Sequence, residues 1–176
     1  MLTHFKEAIG TWVHAKDSAI ADVPLGKVCD MVVNPDTAKI EAFWVKGNNG
    51  FKLLSPQNIV HWNQMELLIG EETDLVDPEG MPALRKILEH EVKIIGAPVY
   101  GKVYGKYLGK VRNFAFHTIS PSIVSLRVES GWALFGARRI IPRSRIIDVK
   151  KNGIWISDQA LETPTKDTKI GAENVS

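Results

Sequence analysis

The sequence predicts a mainly β fold: two small β-barrels in tandem, joined by a short helix and followed by a disordered C-terminal tail. Three observations lead there. The apolar pattern of the first half recurs in the second. Each copy consists of short apolar, β-branched runs separated by turn residues. The length, 176 residues, suits two small units better than one large one. Hydrophobic residues at 44% and charged residues at 24% exclude wholesale disorder.

The repeat comes first, because its period dictates the architecture. Leu25-Gly26-Lys27-Val28 returns as Leu108-Gly109-Lys110-Val111. At the same offset of 83, Ile40 falls on Ile123, Phe43 on Leu126 and Val45 on Val128. Further on the offset becomes 87, so that Leu53-Leu54 meets Ile140-Ile141 and Leu67-Leu68-Ile69 meets Ile154-Trp155-Ile156. The length change falls in a glycine-bearing loop between Val128 and Ile140. The units therefore run over 1–76 and 92–158, with a linker at 77–91 and a tail at 159–176.

Within each unit, Asn34-Pro35-Asp36, Gly47-Asn48-Asn49-Gly50, Ser120-Pro121-Ser122 and Asn152-Gly153 mark turns. The Asn-Gly pairs suit hairpins with positive φ. One irregularity occurs in both copies. The apolar positions step from Val28 to Met31, and from Val111 to Phe114, which breaks the period of two. A β-bulge repairs such a break. Asp30 and Asn113 stand there, either accepting a backbone N–H that the bulge frees or facing solvent. About five strands in such a unit cannot cover both faces of a flat sheet, and curling into a barrel solves this.

The linker offers two helix starts, Asp77-Pro78 and Met81-Pro82, since proline suits the first helical position. Leu84, Ile87 and Leu88 give it an apolar stripe that packs on a barrel. The tail is polar and aperiodic.

The Leu-Gly-Lys-Val-x-Asp element, with a following short strand and then an apolar-Pro/Ser-x-x-x-Ile element, resembles the PRC-barrel family over Leu25 to Ile69 and Leu108 to Ile156. The lead-in Gly96-Ala97-Pro98-Val99-Tyr100 is similar to that family's first strand. Asn113 departs from the Asp of the motif, and Ser55 from its Pro. The resemblance implies the barrel of a ribosome maturation factor's C-terminal domain and of the photosynthetic reaction-centre H subunit. There it docks or scaffolds and does not catalyse.

Charge is divided sharply. Residues 1–91 carry 8 Lys/Arg and 14 Asp/Glu, whereas 92–156 carry 12 Lys/Arg against only Glu129 and Asp148, a net of +10. Such asymmetry speaks of partners, not fold. Lys102, Lys106 and Lys110 recur every four residues among Tyr100, Tyr104 and Tyr107, and would share one face of an unbroken strand. With Arg112, Arg138, Arg139, Arg143 and Arg145 they are the candidate contacts to an anionic partner, rRNA or an acidic protein.

Catalytic readings are weaker. Gly96 to Lys102 fits the spacing of a phosphate loop, but Val103 replaces its hydroxyl residue and glycines deny the helix it requires. His4, His14, His61, His90 and His117 show no metal-binding spacing. The acidic run at 71–79 lacks the calcium-loop pattern. The single cysteine, Cys29, excludes an intramolecular disulfide and reads as structural. No cofactor or metal is expected. There is no apolar run of membrane-spanning length and no basic-then-apolar leader, so the expectation is a cytoplasmic, non-enzymatic adaptor, ribosome- or RNA-associated through the basic unit. The alternative is a protein–protein scaffold, membrane-associated or in cell division, that self-associates through the opposite charges of its units.

Overall fold

The computed structural model describes residues 1–17, 23–63, 65–90, 92–131 and 137–157. The fold is mainly β, with two short α-helices among the described residues. In the first half run β1 (Leu2–His4), α1 (Phe5–Ala8), β2 (Trp12–Ala15), β3 (Gly26–Val33), β4 (Ile40–Gly47), β5 (Gly50–Leu54), β6 (Ile59–Trp62), β7 (Glu66–Ile69) and β8 (Leu75–Val76). After α2 (Pro82–Glu89) come β9 (Pro98–Gly101), β10 (Tyr107–His117), β11 (Ile123–Glu129), β12 (Arg138–Pro142), β13 (Ile146–Lys150) and β14 (Gly153–Ile156). The disordered-tail expectation for 159–176 lies outside the described residues.

The strands form two sheets of one design. The first has the order β6-β7-β2-β3-β4-β5-β8, and the second β13-β14-β9-β10-β11-β12, with β1 added beside β10. Removing β8 and β1 leaves the same path twice. Each path contains one parallel pair at the equivalent place, β2 with β7 and β9 with β14. Registers agree as well: Val28 faces Val45 as Val111 faces Val128, and Trp44 faces Leu53 as Arg127 faces Ile140.

The outermost strands β12 and β13 are linked by a single 3-10 turn, Arg143–Arg145, and β5 and β6 by Pro56–Asn58. A six-strand path whose end strands are joined by three or four residues must curl back on itself. The ends are not hydrogen-bonded to each other, so the closed barrels expected from sequence are sheets that curl without closing. Ser55 and Pro142 hold the same corner with nearly the same backbone, φ −70°, ψ 137° and φ −67°, ψ 152°. Ser55 fits the proline conformation and adds a side-chain bond from the Gln57 N–H.

The irregularities in the apolar period are breaks in register between Val28 and Asp30, and between Val111 and Asn113. Asp30 Oδ1 accepts the Met31 N–H at 2.8 Å and Asn113 Oδ1 accepts the Phe114 N–H at 3.0 Å. Asn113 is buried and accepts the Lys6 N–H as well, at 3.2 Å, which fastens α1 to β10. Asn113→Ala is expected to cost about 1–3 kcal/mol, because it strands two backbone donors. Urea denaturation checks this, and a cost below ~0.5 kcal/mol would show that neither bond matters.

The hairpins differ from expectation in one detail. Ala38 is the non-glycine residue with positive φ among those described, so the asparagines of Asn49-Gly50 and Asn152-Gly153 stay at negative φ. The positive φ falls on Gly50 (+102°) and Gly153 (+154°), each opening the returning strand.

The two sheets share one core. Val13, Val28, Phe43 and Leu67 of the first belong to the same buried cluster as Val99, Val111, Phe116 and Ile154 of the second. Lys39 and Ser122, equivalent positions of the repeat, form an antiparallel bridge. Around it the Ile40 N–H donates to the Pro121 carbonyl and the Ile123 N–H to the Ala38 carbonyl, both at 2.9 Å. These bonds exchange under the offset of 83, so the halves meet about a local pseudo-two-fold axis, in the manner of an isologous dimer.

One grouping read from sequence changes: residues 2–4, assigned to the first unit, pair with β10 of the second sheet. The linker helix packs its apolar stripe on the first sheet. β8 extends the first sheet beyond β5, and α2, starting at the second proline, lays Leu84 with Ile87 and Leu88 on Val32, Ala42 and Leu53. No helix among the described residues is long and apolar enough to cross a membrane.

Candidate nucleic-acid interface

The lysine series does not lie on one strand. β9 ends at Gly101, the chain turns through 102–106, and β10 begins at Tyr107. The Gly101 N–H closes the hairpin on the Lys106 carbonyl at 2.9 Å, and Gly105 supplies a φ of +59°. The turn through 102–106, with Gly105 at positive φ, therefore breaks the strand that would have aligned the lysines. Lys102 and Lys106 stand exposed on the turn, and Lys110 is exposed on β10.

The same hairpin presents aromatic rings. Tyr104 at its tip is 84% exposed and Tyr107 50%. Register places Tyr107 opposite Tyr100, and Tyr100 beside Trp155 of the parallel strand β14. The Tyr107 and Tyr100 ring centres are 5.7 Å apart and tilted by 54°; those of Tyr100 and Trp155 are 5.8 Å apart and stacked at 29°. Lys150 Nζ completes the row, 5.7 Å from the centre of the Trp155 ring. It also pairs with Asp148 at 2.7 Å, a bond that holds the Asp148 carboxyl below the usual carboxylate range, with help from Lys102.

The arginines divide. Arg112 is exposed at the bulge of β10. Arg138 pairs with Glu129 at 3.6 Å. Arg139 donates to the Leu108 carbonyl, Arg143 to the Ile146 carbonyl and Arg145 to the Ser157 carbonyl at 2.7 Å. These last three, half-buried, pin the corner and the edge of the second sheet. Lys102, Lys106, Lys110 and Arg112 are the exposed cations of the candidate set that make no such structural tie among the bonds described. Asp30 and Asn113 serve the bulges.

Sequence reasoning found Tyr100, Tyr104 and Tyr107 but missed Trp155, which lies 48 positions beyond Tyr107. A signal was present: Trp155 sits between Ile154 and Ile156, both fully buried, so strand alternation turns it outward. The phosphate-loop spacing of Gly96 to Lys102 resolves into β9 and the hairpin turn, without a helix. Cys29 donates to the Trp44 carbonyl at 3.4 Å, and burial pushes its thiol up, away from nucleophilic character.

No curated protein matches the chain. Residues 91–160, the part that carries the hairpin, the ring row and the exposed lysines, match the family model of the PRC-barrel domain.

Proposed function

We propose that this chain is a non-enzymatic docking protein, two PRC-type barrels in tandem, whose second unit holds RNA in a cytoplasmic, ribosome- or RNA-associated adaptor. The observation that carries the reading is the set Lys102, Lys106, Lys110 and Arg112, all exposed within residues 92–156, which net +10. Exposed cations gather phosphates by releasing counterions. The identical path of the two sheets supports the tandem reading, with the first unit carrying the opposite charge.

With about four phosphate contacts on a single strand, log K should fall against log salt with a slope of roughly −2.8, at ~0.7 per contact. The double variant Lys102→Ala/Lys106→Ala should flatten that slope by roughly 1.4 and show little sequence dependence. Fluorescence anisotropy with labelled RNA over a salt series measures both. Absence of binding at ~50 mM salt, or an unchanged slope in the variant, turns the basic surface over to an acidic protein partner.

A further inference from the structure

We infer that Tyr107, Tyr100 and Trp155, with Tyr104 on the adjoining hairpin turn, form a stacking platform for the bases of single-stranded RNA. The inference rests on the RNA reading above and names the strand type and the contact. Three rings cross three adjacent strands in one row, at centre spacings of 5.7 and 5.8 Å. That row lets neighbouring bases lie over neighbouring rings. Cations border it, with Lys102 and Lys106 on the hairpin and Lys150 at the Trp155 end. Aromatic faces within a basic border are how sheets hold single strands, because every base offers a face while phosphates follow the cations. In a duplex the bases are stacked on one another and cannot reach the rings.

Cross-strand aromatic pairing also stabilises a sheet. That accounts for Tyr100 and Trp155, each partly buried. It does not account for Tyr104, which is 84% exposed on a turn whose closing bond uses only backbone. Nor is the row a general feature of the repeat. In the first sheet, register puts His14 beside Leu68 where the second has Tyr100 beside Trp155.

The test uses the full chain with labelled single-stranded oligouridylate and oligoadenylate, and with an RNA duplex of the same length. Tyr104→Ala and Tyr107→Ala should each weaken single-strand binding by roughly 5- to 150-fold, the range for one lost base–ring stack. The salt slope should stay unchanged and duplex binding should not be affected. Trp155→Phe should retain binding that Trp155→Ala loses. Thermal melting of each variant separates lost contact from lost fold, and Tyr104→Ala, on the exposed tip, keeps the test usable if the Trp155 variants fail to fold. If single strands bind and the Lys102/Lys106 variant loses slope while the tyrosine variants match the parent, the platform is overturned and the RNA reading stands. Equal losses for single strand and duplex overturn it as well. If the parent binds no RNA at ~50 mM salt, the RNA reading fails and takes the platform with it.

Discussion

Phe116→Ala is expected to destabilise the protein by about 3–5 kcal/mol, the range for deleting a fully buried aromatic ring. Phe116 lies in the second sheet, fully buried. Its ring centre is 6.4 Å from Phe43 and 5.8 Å from Trp62, both in the first sheet, and 6.1 Å from Phe114. The substitution therefore removes packing from both sheets at once. The loss should appear as one cooperative transition in which tryptophans of both halves unfold together, because the core is continuous.

The pseudo-two-fold axis supplies an internal control. On its other side Val33, Leu126 and Val149 stand where Phe116, Phe43 and Trp62 stand, around a mostly apolar void of about 10 Å³. Val33→Ala removes fewer atoms and should cost about 1–3 kcal/mol. Equilibrium denaturation followed by tryptophan fluorescence distinguishes the outcomes. Two separate transitions, or a Phe116 cost no larger than that of Val33, would refute the shared core.

The second large effect is expected at the glycines of the repeated Leu-Gly-Lys-Val element. A Cβ on Gly26 would meet the Lys46 carbonyl oxygen at 2.6 Å and Val45 Cγ1 at 2.9 Å. A Cβ on Gly109 would run into the Glu129 carbonyl and reach the Ser130 nitrogen at 2.8 Å. In both sheets the obstacle is the backbone of the next strand, which cannot rotate away as a side chain can. Gly26→Ala is expected to cost about 1–3 kcal/mol as overpacking. Gly109 also has a φ of +129°, which adds roughly 1–3 kcal/mol for any residue with a Cβ. Gly109→Ala should therefore be the worse of the two, and urea midpoints of both variants read the difference. A Gly109→Ala protein within ~0.5 kcal/mol of the parent would mean that β10 and β11 can separate at this point without cost.

These glycines show how far the sequence reaches. Leu-Gly-Lys-Val was visible as a repeat, and the breaks after Val28 and Val111 as irregularities, because strand period and turn chemistry are local. Why the glycines stand there was not visible, since the colliding carbonyls lie about 20 residues away along the chain. The candidate site divides the same way. Lys102, Lys106, Lys110 and Arg112 were found from charge alone. The shared face that an unbroken strand would give the three lysines does not form, because a turn with Gly105 at positive φ bends the segment into a hairpin. Arg139, Arg143 and Arg145 looked equivalent to them until carbonyls elsewhere in the second sheet proved to hold their guanidinium groups.

By itself, then, the amino-acid order determined what depends on near neighbours: β-rich runs, turn positions, the duplication, and the concentration of positive charge in the second half. Only the tertiary structure decided what depends on residues far apart in the chain. It made one core of two sheets through Phe43, Trp62 and Phe116, and moved residues 2–4 onto β10. It left the curled sheets unclosed, and set Trp155 beside Tyr100 by the pairing of two parallel strands. Periodicity says which face of a strand is buried. It carries no record of which strand lies next to it, because that choice is made by packing and loop geometry summed over the whole chain.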